Sequence, residues 1–494
     1  MTGTAPTSSA GDGAASVLQH HKHATRDGLY VDAAFSKAAA ARLHRDSTFN
    51  ATIQGPTYAQ LLYFEGGGPA GGDVVIAATE QNRVYALDAG NGAILWQQQL
   101  GSPAPLSGSG VCGNVDPLGI SGTPVIDPSS RTLYLDAMTG GGGAARRHLI
   151  HALSVDNGSS RPGWPLDAST VQSGSTRFNA PFQSQRGALL LLNGILYVSY
   201  GGHFGDCGDY HGWVIGVPVD NPSAAAAFAT AARAGGIWGH GGLSSDGSSI
   251  FAATGNTFGA SAWGHGEAVL RFQAGPVFSA SSRDYFTPSN WQALDNGDVD
   301  VGGSGPVLID VPGATPSALV LALGKNGVAY LLDRSNLGGV GTGNGTTGEG
   351  VASARVASNA IINAAAAYTT SQGTYAVMIG AGIGCPGGAG DLVAIRIGAT
   401  APPQISVAWC ARQNGRGSPI VTTTDGRSNA IVWAVGAESS NRLVGFDGDT
   451  GQVLFAGGGA AESLSNVRRF STPIAAKGRI FVGSDTAVYA FTTQ

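Results

Sequence analysis

Charged side chains are scarce in this sequence, and their scarcity excludes several classes of protein. Only 12% of the 494 residues are charged, and the formal net charge is −5. The largest basic cluster is the pair Arg146–Arg147, so we expect no nucleic-acid partner. No apolar run approaches the roughly 18 residues of a membrane-spanning helix, so we expect no membrane span.

Cysteine is equally rare. The four cysteines stand singly, at Cys112, Cys207, Cys385 and Cys410. Without a CxxC pair, a zinc ribbon or a thioredoxin-like motif is disfavoured. The even number and wide spacing favour two disulfides over four free thiols, and disulfides predict a secreted or periplasmic protein. Cys385 and Cys410 flank one predicted hairpin and are the easier pair to predict, whereas Cys112 and Cys207 lie in two separate glycine-rich loops.

Glycine, by contrast, is abundant. The 78 glycines, 23 prolines and 43% apolar residues are typical of a turn-rich β protein with enough apolar side chains for a core. The chain starts with small residues and lacks the basic and apolar regions of a signal peptide. We expect residues 1–25 to form a flexible N-terminal segment, with the "HHKH" run at 20–23 in solvent, and residues 26–494 to form one folded unit.

A β-rich unit recurs along the chain roughly every 45 to 65 residues. It joins an apolar strand, a short turn, a second β-rich strand and then a strand that ends in small residues and an Asp–Gly type of turn, as in "NRVYALDAGNGAILW". The eight copies of its last strand begin at Asn82, His148, Gly212, Glu267, Gly327, Asp391, Asn441 and Thr486. Three to four strands per copy predict an all-β fold, a single β-propeller of eight four-stranded antiparallel blades, with seven blades as the alternative. The last copy stops early, so a strand near Tyr58–Phe64 is expected to complete the closing blade or to pack beside it.

The ending "VYALDAGNGAILW" resembles the repeat of quinoprotein dehydrogenases and related propellers. In those proteins the repeat tryptophan packs between blades and the Asp–Gly turn links the last two strands. We interpret this motif as architectural.

Two further stretches resemble the site-bearing segments of the same dehydrogenases. The first is "GGIWGHGGLSSDGSSIFAATGNTFG", by which Trp238 would lie under the quinone ring and Asn256 would bind calcium. The second includes "DNGDVD" and "GKNGVAYLLDR", by which Asp298 or Asp300 would be the general base and Lys325 would contact the quinone. The resemblance therefore implies PQQ and Ca²⁺ as cofactors and the oxidation of an alcohol or sugar hydroxyl.

The sequence also departs from this family. A vicinal cysteine pair is missing, since Cys112 has no cysteine neighbour, and "DNGDVD" lacks the family's tryptophan. The blade that should carry a calcium-binding glutamate reads "YGGHFGDCGDYHGWVIGV" and contains none.

Four of the ten histidines fall in glycine-rich loops, at His203, His211, His240 and His265. Three interpretations are open: a transition-metal site, a general base, or hydrogen bonding to the loop backbone. None of these histidines has the spacing of a known metal motif.

Three functions follow as hypotheses. The first is a PQQ- and calcium-dependent oxidoreductase, and the second is a non-catalytic binding or scaffold propeller. The third is a metal-dependent lyase or hydrolase that uses the loops from His203 to His265. In each case we expect a small-molecule or carbohydrate ligand and a monomer.

Overall fold

A computed structural model describes residues 15–140, 145–341 and 349–494 of the chain. Its strands form small antiparallel sheets that are the eight blades of a β-propeller, so the predicted fold class is confirmed. The first four blades contain the following strands in chain order: Leu62–Phe64, Val74–Ala78, Arg83–Asp88 and Ile94–Gln99 (blade 1); Val125–Asp127, Thr132–Thr139, Arg147–Ser154 and Leu166–Asp167 (blade 2); Gln183–Ser184 with Leu190–Leu192, Ile195–Gly202, Trp213–Pro218 and Ala226–Ala229 (blade 3); Ser244–Ser245, Ile250–Ala253, Val269–Phe272 and Tyr285–Thr287, with Gly339–Val340 outside them (blade 4).

The second half of the ring repeats the pattern. Its strands are Val307–Asp310, Ala318–Leu323, Val328–Asp333 and Ala352–Arg355 (blade 5); Ala366–Thr370, Gly373–Ile379, Leu392–Ile397 and Ile405–Ala411 (blade 6); Ile420–Thr423, Ile431–Val435, Leu443–Asp447 and Val453–Phe455 (blade 7); Ile474–Ala476, Arg479–Gly483 and Ala487–Thr492 (blade 8). The eight repeat copies found in the sequence are the third strands of the eight blades, which explains their spacing.

The repeat motif performs the same packing task in successive blades. The Asp88 carboxylate accepts hydrogen bonds from the backbone of its own turn, as an Asx turn does. Trp96, on the outer strand of blade 1, donates from Nε1 to the carbonyl of Val155 in blade 2 at 2.6 Å. A Cβ on Gly158 would lie 2.7 Å from the Trp96 ring, so only glycine fits where that ring lies on the next blade. The motif is architectural, as predicted.

The core lies between the blades. Clusters of buried apolar side chains join neighbouring sheets, and the largest of them spans blades 7, 8 and 1, where the two ends of the ring meet. The closing blade receives its outer strands from the N-terminal part of the chain, because His44–Arg45 and Ala51–Thr52 both pair with Ala487–Thr492. The strand at Leu62–Phe64 does not complete this blade. It is the inner strand of blade 1 and packs beside blade 8.

The N-terminal segment from residue 17 to residue 31 lines the inside of the ring. Its backbone bonds to the inner strands of blades 1, 2, 4, 5, 6 and 7 in turn, and the last three residues, Leu29–Val31, run parallel to Val421–Thr423. His20 and His21 are fully buried, so the expectation that the "HHKH" run lies in solvent is wrong. Residues 1–14 lie outside the described residues, and the boundary at residue 25 stays a prediction.

Arg26 fixes this segment across the axis. Its guanidinium donates to the backbone carbonyls of Leu189, Leu243 and His20 at 2.8 to 2.9 Å. Arg26 is 1% exposed, and the carbonyl oxygens supply the partners that a buried cation requires. The segment and blades 3 and 4 are thus held together by one side chain.

Helical structure is limited to short connections. The α-helices are Lys37–Ala40 and Trp291–Asn296, and the 3₁₀ turns are Pro69–Gly71, Ala168–Thr170, Ala180–Phe182, Pro222–Ala224 and Ala460–Glu462. A two-stranded hairpin, Gln172–Ser173 with Thr176–Arg177, lies beside blade 3. Within the described ranges no helix has the length and apolar character needed to cross a membrane.

Both predicted disulfides are present. Cys385 and Cys410 close the blade 6 hairpin (the hairpin disulfide), and Cys112 and Cys207 join a loop after blade 1 to a loop of blade 3 (the rim disulfide). The described residues contain no free cysteine.

Candidate functional site

A deep cavity of about 720 Å³ opens at the axis of the ring, and we refer to it as the axial cavity. Turns within the blades and connections between them supply its walls, which include Glu80, Arg186, Trp238, Lys325, Arg469 and Phe470. Loops at the end of a rigid sheet are where binding and catalytic groups most often lie. We therefore expect the predicted site residues to lie in the axial cavity.

Four of the predicted residues meet on one wall of this cavity. Trp238 comes from the connection between blades 3 and 4, Asp298 and Asp300 from the connection that follows the helix Trp291–Asn296, and Lys325 from a turn of blade 5. The chain thus brings side chains from three loops to one place. We call these four residues the central quartet.

Hydrogen bonds and ion pairs connect the central quartet. The Trp238 Nε1 group donates to Asp300 Oδ2 at 2.7 Å, and Lys325 Nζ lies 3.2 Å from the same oxygen. Lys325 Nζ also lies 2.6 Å from Asp298 Oδ1, and it is 5.3 Å from the centre of the Trp238 ring. The quartet is one connected network on the cavity wall.

The two aspartates have different surroundings. The Asp300 side chain is only 3% exposed, whereas that of Asp298 is 58% exposed. Burial raises the pKa of Asp300, and Asp298 raises it too, against the opposing effect of Lys325. Burial lowers the pKa of Lys325, but the two carboxylates outweigh it and the pKa is raised, so the ammonium stays charged at neutral pH.

Next to the quartet lies a third carboxyl group, which the sequence did not single out as a site residue. Glu267 is fully buried, and its Oε2 accepts a 2.8 Å hydrogen bond from the backbone nitrogen of Val301, next to Asp300. Burial and the charge of Asp300 raise the pKa of Glu267 to about 9. Glu267 therefore carries a proton at neutral pH unless a cation replaces it.

Asn256, the predicted calcium ligand, lies at the same place. It follows the strand Ile250–Ala253, is 4% exposed, and its side-chain nitrogen has no hydrogen-bond partner. Its neighbour Gly255 touches Asp300, because a Cβ on Gly255 would lie 2.7 Å from Asp300 Oδ2. Glu267 donates its backbone N–H to the Gly255 carbonyl at 3.0 Å.

Arg186 adds a second cation beside the Trp238 ring. It is 5.3 Å from the centre of the Trp238 ring and donates to the carbonyl of Gly202 at 3.0 Å. Its buried Nε has no partner. The tryptophan thus has a lysine and an arginine beside its ring, an arrangement that suits an anionic planar ligand.

The far wall carries paired charges. Arg469 lies 2.8 Å from Glu438, and Arg468 lies 2.5 Å from Asp485. Glu80 is buried there, and burial raises its pKa to about 7 although hydrogen bonds oppose the shift. Apart from Glu80, this wall presents ion pairs whose charges already neutralise one another.

The cavity floor is aromatic and rests on the N-terminal segment. His240 stacks on Phe470 with ring centres 5.3 Å apart, and both line the cavity. His20 meets the edge of His240 at 5.5 Å and stacks on His21 at 4.3 Å. The N-terminal segment therefore lies directly behind the floor.

The four predicted histidines do not form one cluster of metal ligands. His203 bonds to the carbonyl of Pro181, His211 to that of Thr230, and His265 receives a hydrogen bond from a backbone nitrogen. His203 and His240 line the axial cavity, whereas His211 and His265 do not. Throughout the ranges that the structure describes, no three His, Cys, Asp or Glu side chains are grouped as metal ligands. The contacts of His203, His211 and His265 agree with the interpretation of backbone hydrogen bonding.

The fold and its repeat are consistent with a β-propeller of PQQ-like repeats. Residues 33–143 match the family model described as outer membrane protein assembly factor BamB. No curated protein matches the chain in sequence.

Similar folds occur among solved structures. The quinohemoprotein alcohol dehydrogenase of Comamonas testosteroni is 13% identical with a TM-score of 0.60, over 97% of this chain and 80% of that chain. That of Pseudomonas putida HK5 is 12% identical with a TM-score of 0.62, over 97% and 80%. A europium-containing methanol dehydrogenase is 13% identical with a TM-score of 0.62, over 95% and 89%. At these identities the similarity shows a shared fold.

Proposed function

We propose that this chain is an extracytoplasmic quinoprotein-type oxidoreductase that oxidises a hydroxyl group of an alcohol or a sugar. The observation that carries the proposal is the joining of Trp238, Asp300 and Lys325 by hydrogen bonds on the wall of the axial cavity. The solved quinohemoprotein alcohol dehydrogenases share the fold, which supports the reaction class as an analogy only. Two disulfides support a location outside the cytoplasm.

The residues present fit a bound PQQ, a planar quinone that carries carboxylates. Trp238 offers a flat aromatic surface in the cavity wall, and Lys325 and Arg186 offer positive charge beside that surface. The cavity volume of about 720 Å³ lies within the range of ordinary ligand sites. When bound, PQQ supplies the group that accepts the hydride from the substrate carbon.

The protein side chains would perform the remaining tasks. Asp300 has a raised pKa and an Oδ1 without a hydrogen-bond partner, so it is the better candidate to accept the proton of the substrate hydroxyl. Asp298 is exposed and ion-paired, and in this proposal it positions Lys325. Lys325 stabilises negative charge that develops beside Trp238.

The test is a titration of the protein with PQQ in the presence of Ca²⁺, followed by quenching of tryptophan fluorescence. We expect saturable binding that is at least about tenfold weaker in Trp238→Leu, because the aromatic surface is lost. Trp291→Leu is the matched control, since Trp291 lies on a helix and does not line the cavity. Unsaturable quenching in the native protein, together with no dye-linked oxidation of alcohols or sugars, would refute the proposal.

A second candidate function is a non-catalytic binding propeller. The match of residues 33–143 to an assembly-factor family favours it. The titration separates the two, because a scaffold has no reason to bind the quinone at Trp238.

A further inference from the structure

Two neighbouring arginines on the far wall of the axial cavity are held in place by carboxylates. Arg469 donates from Nε to the two oxygens of Glu438 at 3.0 and 2.9 Å, and its Nη2 lies 2.8 Å from the same carboxylate. Arg468 donates to Asp485 from Nε at 2.7 Å and from Nη2 at 2.5 Å. Each guanidinium therefore binds its carboxylate along one edge, and this fixes the plane of the group.

The remaining nitrogen of each guanidinium is available to a ligand. Within the part of the chain that the structure describes, the Nη1 groups of Arg468 and Arg469 make no hydrogen bond. The two side chains line the cavity and are 37% and 33% exposed. Because the carboxylates already hold the side chains, a ligand that bonds to Nη1 loses little affinity to side-chain ordering.

Phe470 places an aromatic surface next to these arginines. It directly follows Arg469 in the chain, lines the cavity, and has its backbone nitrogen bonded to the carbonyl of Arg416 at 3.0 Å. His240 stacks on its ring with an interplanar angle of 19°, and burial lowers the pKa of His240 to about 3, so the stack is uncharged at neutral pH. The φ of Phe470 is 67°, a left-handed conformation that bulky residues rarely adopt and that often marks functional positions.

The charges on this wall favour a neutral ligand over an anion. Arg468 and Arg469 are each neutralised by a carboxylate, so the two ion pairs carry no net charge. Arg186, which forms no ion pair within the described ranges, lies beside Trp238 and attracts an anion more strongly. A hydroxyl group both donates and accepts, so adjacent hydroxyls match arginine N–H groups that lie next to carboxylate oxygens.

We propose that Arg468, Arg469 and Phe470, together with Glu438 and Asp485, form a subsite for a neutral ligand with several hydroxyl groups, a sugar or a polyol. The arginines donate to its hydroxyl oxygens, the carboxylates accept from its hydroxyl groups, and its C–H groups pack on the aromatic ring. An alcohol with one hydroxyl cannot bond at several of these points. The inference rests on the proposed function only in naming this ligand as the substrate, because the binding itself requires no quinone.

The experiment is a calorimetric titration of the full chain without quinone. The neutral probes are D-glucose, D-galactose, D-mannose and D-sorbitol, with 1-propanol as the alcohol with one hydroxyl and D-gluconate as the anion. We expect at least one neutral probe to bind saturably with a Kd of about 1 mM or below. We expect no saturable binding of 1-propanol, and weaker binding of D-gluconate than of that neutral probe.

Arg469→Met removes one pair of free N–H groups and should weaken the binding of the neutral probe at least about tenfold. Arg131→Met is the matched control. Arg131 binds Asp156 from Nε and Nη2 at 2.8 and 2.6 Å and is 35% exposed, but it does not line the cavity. This variant should bind the probe like the native protein. Circular dichroism checks the fold, and Arg469→Lys, which keeps the charge beside Glu438 without the planar guanidinium, should also bind more weakly if Arg469→Met does not fold.

The inference would be overturned if no neutral probe bound saturably up to about 100 mM, or if Arg469→Met bound it as tightly as the native protein. Tighter binding of 1-propanol or D-gluconate than of every neutral probe would overturn it as well. A chain that binds PQQ but no neutral probe would retain the proposed function and lose the subsite. Arg469-dependent binding of a neutral probe without binding of PQQ would refute the oxidoreductase and retain the subsite in a binding propeller.

Discussion

Acidification from about pH 7.5 to about pH 5 should destabilise the folded chain through the buried histidines in the cavity floor and behind it. Burial lowers the pKa of His21 to about 4 and that of His240 to about 3. His20 has a lowered pKa for the same reason, and the neighbouring rings of His21 and His240 and the charge of Arg26 lower it further. In the folded chain these rings stay neutral at pH 5.

The unfolded chain behaves differently, because an exposed histidine takes up a proton below about pH 6.5. Stability is therefore complete above that pH and is lost as the pH falls toward the folded pKa values. At pH 5 the histidine rings of the folded chain are still almost entirely unprotonated. The loss in the free energy of unfolding therefore depends only on the pKa of histidine in the unfolded chain. It amounts to about 2 kcal/mol for each buried histidine.

The assay is urea unfolding at several pH values, with the midpoint and slope converted to a free energy of unfolding. His240→Leu removes one buried ring whose Nε2 has no hydrogen-bond partner, so the variant loses no bond from that nitrogen. Its stability should fall by about 2 kcal/mol less than that of the native protein between pH 7.5 and pH 5. His44→Gln, at an exposed histidine, should keep the native dependence on pH. If the two variants changed the pH dependence equally, or neither changed it, the assignment of neutral buried histidines would be refuted.

Two further predictions concern stability. Arg26→Met should lower the free energy of unfolding by about 3 kcal/mol or more, because three buried carbonyl oxygens lose their donor, whereas Arg42→Met at an exposed site should have little effect in the same urea assay. Replacing both cysteines of the rim disulfide by serine should cost about 4–5 kcal/mol, against about 3–4 kcal/mol for the hairpin disulfide, because the closed loops span 95 and 25 residues. If removing the hairpin disulfide lowered the free energy of unfolding more than removing the rim disulfide, the explanation by loop length would be contradicted.

Most of the architecture could be predicted because each blade repeats the same local signals. Alternating apolar residues mark the third strand of every blade, an Asp–Gly type of turn follows the clearest copies, and the count of eight comes from these strands. The closing strands at His44–Arg45 and Ala51–Thr52 were missed because each has only two residues and pairs with the far end of the chain. Such pairings leave no periodicity in the sequence.

Some residues of the candidate site could likewise be predicted from the sequence, and others could not. Trp238, Asp300 and Lys325 could be located because they lie in segments that resemble a known family. Glu267 could not be, because its importance comes from burial and from an oxygen without a partner, and neither is visible in a sequence. A glutamate followed by an apolar strand is an ordinary pattern, and only the contact with Val301 distinguishes this one.

The burial of the N-terminal histidines has a consequence for the axial cavity itself. A ring of blades leaves a channel along its axis, and a channel open at both ends would expose any buried charge to water. Here residues 17–31 bond to the inner strands of most blades, and His20 packs against the floor residue His240. The segment therefore lies across the channel behind the floor residue His240. The repeat builds the ring, and the non-repeating segment inside it supports the floor of the cavity.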